Sequence, residues 1–240
     1  MRILNWNVDH AKRGVLSRQL ARIDEIASDI EVLTEPGQPN RFESDGKVVV
    51  HSPTQRYRDE SWVLIRGVGL ERIVLAVPYE RMATAAKARI ENRDIVIYAS
   101  VLPWKAATSQ SPDVFGFPPV GIPTAAIYGS WLTSQLRDLW ILRDRFPSAA
   151  LFWVGDFNTP VLKPFKYHNR AGSEMLIQAL SNFGLRAYDG NMAHRNSELH
   201  AVDLICGPST VMAATAHVDR RDEILALSDH ALYWADVSLD

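Results

Sequence analysis

The chain has 240 residues, 47% of them hydrophobic and 22% charged, which is an ordinary balance for a folded protein and excludes wholesale disorder. A formal net charge of −2 excludes a uniformly basic nucleic-acid binder, although basic groups can still gather at one face. No composition break divides the chain, so residues 1–240 read as a single domain large enough to bury a substantial core.

The first residues, Met1-Arg2-Ile3-Leu4-Asn5-Trp6-Asn7, run directly into an apolar strand over 1–8, without the basic segment and long apolar stretch of a secretory signal. No apolar run approaches the roughly 20 residues needed to cross a bilayer, so a soluble, cytoplasmic protein is expected. Asn7 and Asp9 close that strand. Apolar positions within Ser17–Ala27 then recur at helical spacing.

Residues 30–35 form a second strand that ends at Glu35, where Pro36 and Gly37 are expected to stop it. Five strand-like runs follow near Lys47–His51, Ser61–Arg66, Arg72–Val77, Ala83–Glu91 and Asp94–Leu102. This is too many strands for a simple doubly wound fold. The stretch Pro103–Pro123, rich in Pro and Gly, reads as a long irregular loop that either touches a ligand or covers a sheet edge.

A helix is expected within Thr124–Phe146, where Leu132, Leu136, Leu139, Trp140 and Leu142 form a broad apolar face and Pro147 marks the end. Strand and helix then alternate: a strand over Ala149–Val154, a helix over Gly172–Asn182, and strands near Ala201–Cys206, Val211–Val218 and Ala231–Val237. The pattern implies two packed sheets covered by helices. Cys206 cannot form an internal disulfide, and its neighbours Leu204 and Ile205 suggest an inert buried thiol.

Five acids, Asp9, Glu35, Asp156, Asp203 and Asp229, fall at or near strand boundaries. If folding gathers them, their mutual repulsion calls for a cation, and all-oxygen donors suit Mg²⁺ or Mn²⁺. Each has a duller explanation alone, as a strand end or a turn residue. Their order is more informative than any one of them.

In that order, Trp6-Asn7-Val8-Asp9, Glu35, Gly155-Asp156-Phe157-Asn158, Val202-Asp203-Leu204-Ile205 and Ser228-Asp229-His230, the chain resembles the endonuclease/exonuclease/phosphatase superfamily over nearly its whole length. Its first motif looks most like the apurinic/apyrimidinic endonuclease branch. The resemblance implies a four-layer αββα sandwich of α/β (α+β) class, with two mixed sheets face to face and flanked by helices. It also implies metal-dependent hydrolysis of phosphate esters, with Glu35 as principal metal ligand and Asp9, Asn7 and Asp229 around the same Mg²⁺ or Mn²⁺. Asp156 would orient or deprotonate the attacking water, although His230 can equally serve as the general base, and Asn158 would donate to the phosphate. His230 would face the phosphate, oriented by Asp203, whose charge should raise the imidazole pKa.

One position departs from that pattern. Where many relatives present a His or Tyr to the phosphate, this chain has Val101, so Tyr98, Ser100, Trp104 or Lys105 would have to substitute, or metal-bound water would protonate the leaving group, or activity on the relatives' usual substrates would be low. Of the other histidines, only His168, after the Asp156 loop, draws suspicion.

Basic residues recur beside the proposed loops, namely Lys12, Arg13, Lys105, Lys163, Lys166, Arg170 and Arg195, and Trp104, Phe115 and Phe117 could stack on bases, whereas Trp131 reads as core. A nuclease acting on DNA or RNA is therefore the leading expectation. The alternatives are a phosphatase or phosphodiesterase acting on a small-molecule or lipid ester, and a non-catalytic binding protein on the same scaffold. No feature marks an obligate protein partner.

Overall fold

The computed structural model describes residues 1–11, 14–44, 46–54, 59–75, 82–103, 124–163, 170–194, 199–211 and 214–239. Twelve strands form two six-stranded mixed sheets. The first has the order β11 (Ala214–Asp219), β12 (Leu232–Val237), β1 (Arg2–Asn7), β2 (Ile30–Gly37), β4 (Ser61–Gly67), β3 (Val48–His51). The second runs β5 (Glu71–Ile73), β6 (Ala83–Ile90), β7 (Arg93–Val101), β8 (Ala150–Asp156), β10 (Asp203–Pro208), β9 (Leu185–Ala187).

Each sheet is built around one parallel pair joined by a helical crossover. β1 leads through α1 (Leu16–Ile26) to β2, and β7 leads through α2 (Thr124–Arg145) to β8. The remaining pairings are antiparallel. With α3 (Arg170–Asn182) and the short α4 (Asp222–Leu225), four α-helices accompany the sheets among the described residues, in keeping with an αββα sandwich.

Strand alternation divides the interior. On β1, Ile3 joins the large cluster between and behind the sheets, whereas Leu4, Trp6 and Val8 join a smaller cluster with Ile23 and Ile26 of α1. Asn5 and Asn7 share Ile3's face and are nearly or wholly buried. The Asn5 amide donates across the interface to the carbonyls of Gly155 (3.0 Å) and Leu204 (3.3 Å), tying one sheet to the other.

Several expectations need correction. Pro36 and Gly37 do not end β2; the ladder shifts between Thr34 and Gly37 and resumes with Gly37 opposite Ser61. Glu35 and Pro36 sit in that irregularity, where the missing proline N–H costs no ladder bond. Trp140 is 53% exposed and stacks with Phe183 and Arg143 instead of joining the buried face of Leu132, Leu139 and Leu142. Trp131 and Cys206 are core, as expected, and burial pushes the Cys206 thiol well above its ordinary range. The strands β5 and β9 hold three residues each, too few to show an alternation, and the long loop after Pro103 lies outside the described residues.

Candidate active site

The site forms where the parallel strands deliver their carboxyl ends. Asn7 ends β1, Glu35 lies at the end of β2, Asp156 ends β8, and Asp203 opens β10 directly opposite Asp156 in register. Asp229 and His230 precede β12, the antiparallel neighbour of β1. Two crossovers thus put residues more than a hundred positions apart on one rim.

Asn7 joins the two sheets. Its side-chain Nδ2 donates to Glu35 Oε1 at 3.1 Å and to Asp156 Oδ2 at 3.2 Å, while its side-chain Oδ1 accepts the backbone N–H of Asp9 at 3.0 Å. Glu35 Oε2 also faces His10 Nε2 at 3.2 Å. Asp156 Oδ1 accepts the backbone N–H of Asn158 at 2.8 Å, and the Asn158 amide donates to the Leu102 carbonyl at 2.9 Å, bracing this loop against the end of β7.

His230 stands on the other side. Its Nδ1 lies 2.7 Å from Asp203 Oδ2, and its Nε2 is 3.9 Å from Asp229 Oδ1. Asp203 is fully buried, whereas the Asp229 side chain is 59% exposed. The loop is fixed by polar contacts from β1 and α1 and within itself. Ser228 Oγ donates to the Asn7 carbonyl (2.6 Å) and accepts the His230 N–H (3.1 Å), and Trp6 Nε1 donates to the His230 carbonyl (3.3 Å). Gln19, buried on α1, donates to the carbonyls of both Val8 and Leu227 at 3.0 Å, clamping the Asp9 and Asp229 loops together.

Backbone strain concentrates here. Among the described residues, eight non-glycine positions have positive φ, and four are Asp9 (46°), His10 (56°), Glu35 (51°) and Asn158 (51°). Such conformations cost roughly 1–3 kcal/mol each and persist where surrounding structure imposes them. Gly155, at φ 149°, packs so closely on β7 that an added Cβ would collide with the Ser100 carbonyl oxygen. Only glycine lets β8 place Asp156 at this depth.

The charge pattern is unbalanced. Asp156 is pushed up to about 8, first by burial and then by the Asp203 and Glu35 carboxylates, against the pull of His230 and the Asn158 N–H. Burial works against a charged His230, yet the charge and hydrogen bond of Asp203, with Asp156 and Asp229 behind it, push the ring up to about 10. Glu35, Asp9, Asn7 and Asp229 offer only oxygen donors, the kind a hard divalent cation takes, but among the described residues the three acids Asp9, Glu35 and Asp229 do not bring their oxygens within 4.8 Å of one another.

The sequence reading left two imidazoles out. His10 contacts Glu35, and His194 packs edge-on against His230 with ring centroids 5.1 Å apart. Among the described residues, one trio of His, Cys, Asp or Glu brings its ligand atoms within 4.8 Å of one another, and it is His194, Asp203 and His230. The only signal for His10 was its position next to Asp9. No motif surrounds His194.

Two substitutes for the residue missing at Val101 are ruled out. Tyr98 donates to Asp138 on α2 at 2.8 Å, and Ser100 donates to Gln135 at 2.9 Å while accepting from Trp153 at 2.8 Å. Both are buried against the helix, away from the rim. Val101 itself is buried, and its carbonyl accepts from Gln135. Trp104, Lys105, Phe115, Phe117, Lys12, Arg13, Lys166, His168 and Arg195 lie outside the described residues; Lys163 is exposed, and Arg170 pairs with Glu174.

No protein-family model and no curated protein matches the sequence. Solved structures do match along the whole chain. The endonuclease domain of TRAS1, a telomere-specific non-LTR retrotransposon, superposes with a TM-score of 0.68 at 17% identity, covering 99% of this chain and 98% of that one. The 3′ phosphatase NExo from Neisseria, bound to product DNA hairpin, gives 0.70 at 18% identity, with 99% of each chain covered. The Xenopus laevis APE2 catalytic domain gives 0.69 at 13% identity, covering 99% and 91%.

The chain therefore has the αββα fold of these solved structures. At such identities, what is shared is the fold.

Proposed function

We propose that this protein is a divalent-metal-dependent phosphoesterase that hydrolyses phosphodiester bonds, acting as a nuclease on DNA or RNA. The observation that carries the reading is the pair of carboxylates, Glu35 and Asp156, bridged by the Asn7 amide beside the Asp203–His230 pair. Glu35, with Asp9, Asn7 and Asp229, would hold Mg²⁺ or Mn²⁺, which supplies Lewis-acid polarisation of a phosphoryl oxygen.

The protonation states divide the remaining work. A base is most useful when its pKa lies near the operating pH, and Asp156, at about 8, meets that condition as the group that orients and deprotonates water. His230, held protonated by Asp203, is a charged donor to the phosphate and not a base. Asn158 keeps one amide hydrogen for the substrate after bonding Leu102. Nucleic acid as the substrate is supported by the DNA hairpin bound to the Neisseria phosphatase and by the retrotransposon endonuclease of the same fold.

The same Neisseria protein favours a second reading, removal of a terminal phosphate without cutting the chain. One experiment separates the two: abasic, nicked, single-stranded, duplex, 3′-phosphorylated and RNA substrates, each with Mg²⁺, Mn²⁺ or chelator, beside Glu35→Ala and Asp156→Asn. Metal-dependent cleavage by the wild type, reduced at least ~10²-fold in both variants, is expected. Phosphate release from ends alone would establish the second reading. Absence of turnover on every substrate, or undiminished turnover in Glu35→Ala, would overturn the first.

A further inference from the structure

His194 lies in the segment between β9 and β10, and the fold holds that segment firmly against the site. The Tyr233 hydroxyl donates to the Ala193 carbonyl at 3.1 Å, Arg220 reaches the His194 carbonyl at 3.4 Å, and the His194 N–H donates to Leu199 at 2.8 Å. Neighbouring backbone bonds, Met192 to Asp189 at 2.8 Å and Ala201 to Met192 at 2.9 Å, close the turn. The backbone that carries this imidazole is therefore fixed by the β11–β12 side of the first sheet and by its own turn.

Its ring meets His230 edge to face, at 5.1 Å and 76°. Aromatic packing alone would explain a T-shaped pair. Here, however, the ligand atoms of His194, His230 and Asp203 all lie within 4.8 Å of one another, so polar edges converge as well as rings. His230 Nδ1 is already committed to Asp203, which leaves its Nε2 for a ligand. Two neighbouring imidazoles can each reach a different oxygen of one tetrahedral phosphate at ordinary hydrogen-bond distance.

We infer that His194 is a second imidazole contact for the phosphate group of the substrate, acting beside His230. This rests on the phosphoesterase reading above and extends it to a residue that lies outside every motif in the sequence. It also supplies a polar partner on a rim where Val101, Tyr98 and Ser100 offer none.

The test has two arms. In the first, the full chain is held in chelator and titrated with inorganic phosphate while the imidazole C–H signals are followed by NMR. His194 and His230 should move together on one saturating curve. In the second, hydrolysis is measured for whichever phosphodiester the wild type cleaves: His194→Ala should raise KM about tenfold or more, with a smaller change in kcat, and His194→Gln, which keeps an N–H donor, should recover most of the loss.

The inference is overturned if phosphate moves His230 and leaves His194 in place, or if His194→Ala keeps KM within about twofold of the wild type. Should the chain hydrolyse no ester at all, the phosphoesterase reading fails by itself, and the phosphate titration still decides the role of His194.

Discussion

Replacing Asp203 with Asn should release His230 from its charged state. The imidazole is pushed up to about 10 from an ordinary 6.5, and Asp203, 2.7 Å away, is the strongest of the groups that raise it, against burial, which lowers it. Without that carboxylate, burial dominates, so the His230 pKa should fall by at least ~2 units, equivalent to ~2.7 kcal/mol of differential interaction. The stability effect has a definite sign. A folded pKa above the unfolded value adds stability that is complete below pH 6.5 and is lost as the pH rises toward about 10. The variant also loses a negative neighbour of Asp156, which acts in the same direction, because a carboxyl with a raised folded pKa weakens the fold as pH rises from about 4 to about 8. The advantage of wild type over Asp203→Asn should therefore be larger at pH 6 than at pH 9. NMR titration of His230 in chelator, beside denaturant unfolding at both pH values, measures the two quantities. A His230 that still titrates above pH 9 in the variant would refute the assignment of its charge to Asp203.

Asp189 offers a simpler case: it is fully buried, accepts the Ile205 N–H at 2.9 Å, and is pushed up to about 7 by burial, with Asp203 adding to the effect. Ionising it costs the fold about 1.4 kcal/mol per pH unit between its unfolded and folded pKa values, so Asp189→Asn should remove that slope from about pH 4 to 7 and gain on the wild type as pH rises; parallel unfolding curves across the window would contradict this. Gly155→Ala should cost ~3 kcal/mol or more, because backbone instead of a flexible side chain blocks the new methyl, and a midpoint of denaturation within about 0.5 kcal/mol of the wild type would show that β8 can move away from β7.

The sequence exposed the elements whose signal is local. Apolar runs marked β1, β4, β7, β8 and β12, and heptad-like spacing marked α2, because these segments are long enough for periodicity to register. Three-residue strands such as β9 and the single turn of α4 carry too few positions for any period. The site was legible where polar residues interrupt apolar runs, as at Asn7, Asp156 and Asp203, since a buried polar side chain at a strand end needs a partner or a purpose. His194 and Gln19 were not legible for the opposite reason. One sits in an irregular segment, and the other reads as an ordinary helix surface position, yet Gln19 is fully buried because two carbonyls from separate loops meet its amide. Contacts of that kind depend on which loops the topology brings together, and no local pattern encodes them.

Strain and charge meet at the same rim, and this bears on why the site is built as it is. Four left-handed non-glycine residues and an acid kept protonated near neutrality would each weaken a fold that had no use for them. They occur where both sheets are already fixed from behind by Asn5, which bonds Gly155 and Leu204 across the interface, and by the buried residues of both clusters. The rim is thus the part of the molecule where local cost is tolerated because distant packing imposes the geometry. A cation held by Glu35, Asp9 and Asn7, as proposed above, would offset part of the negative charge that burial makes expensive.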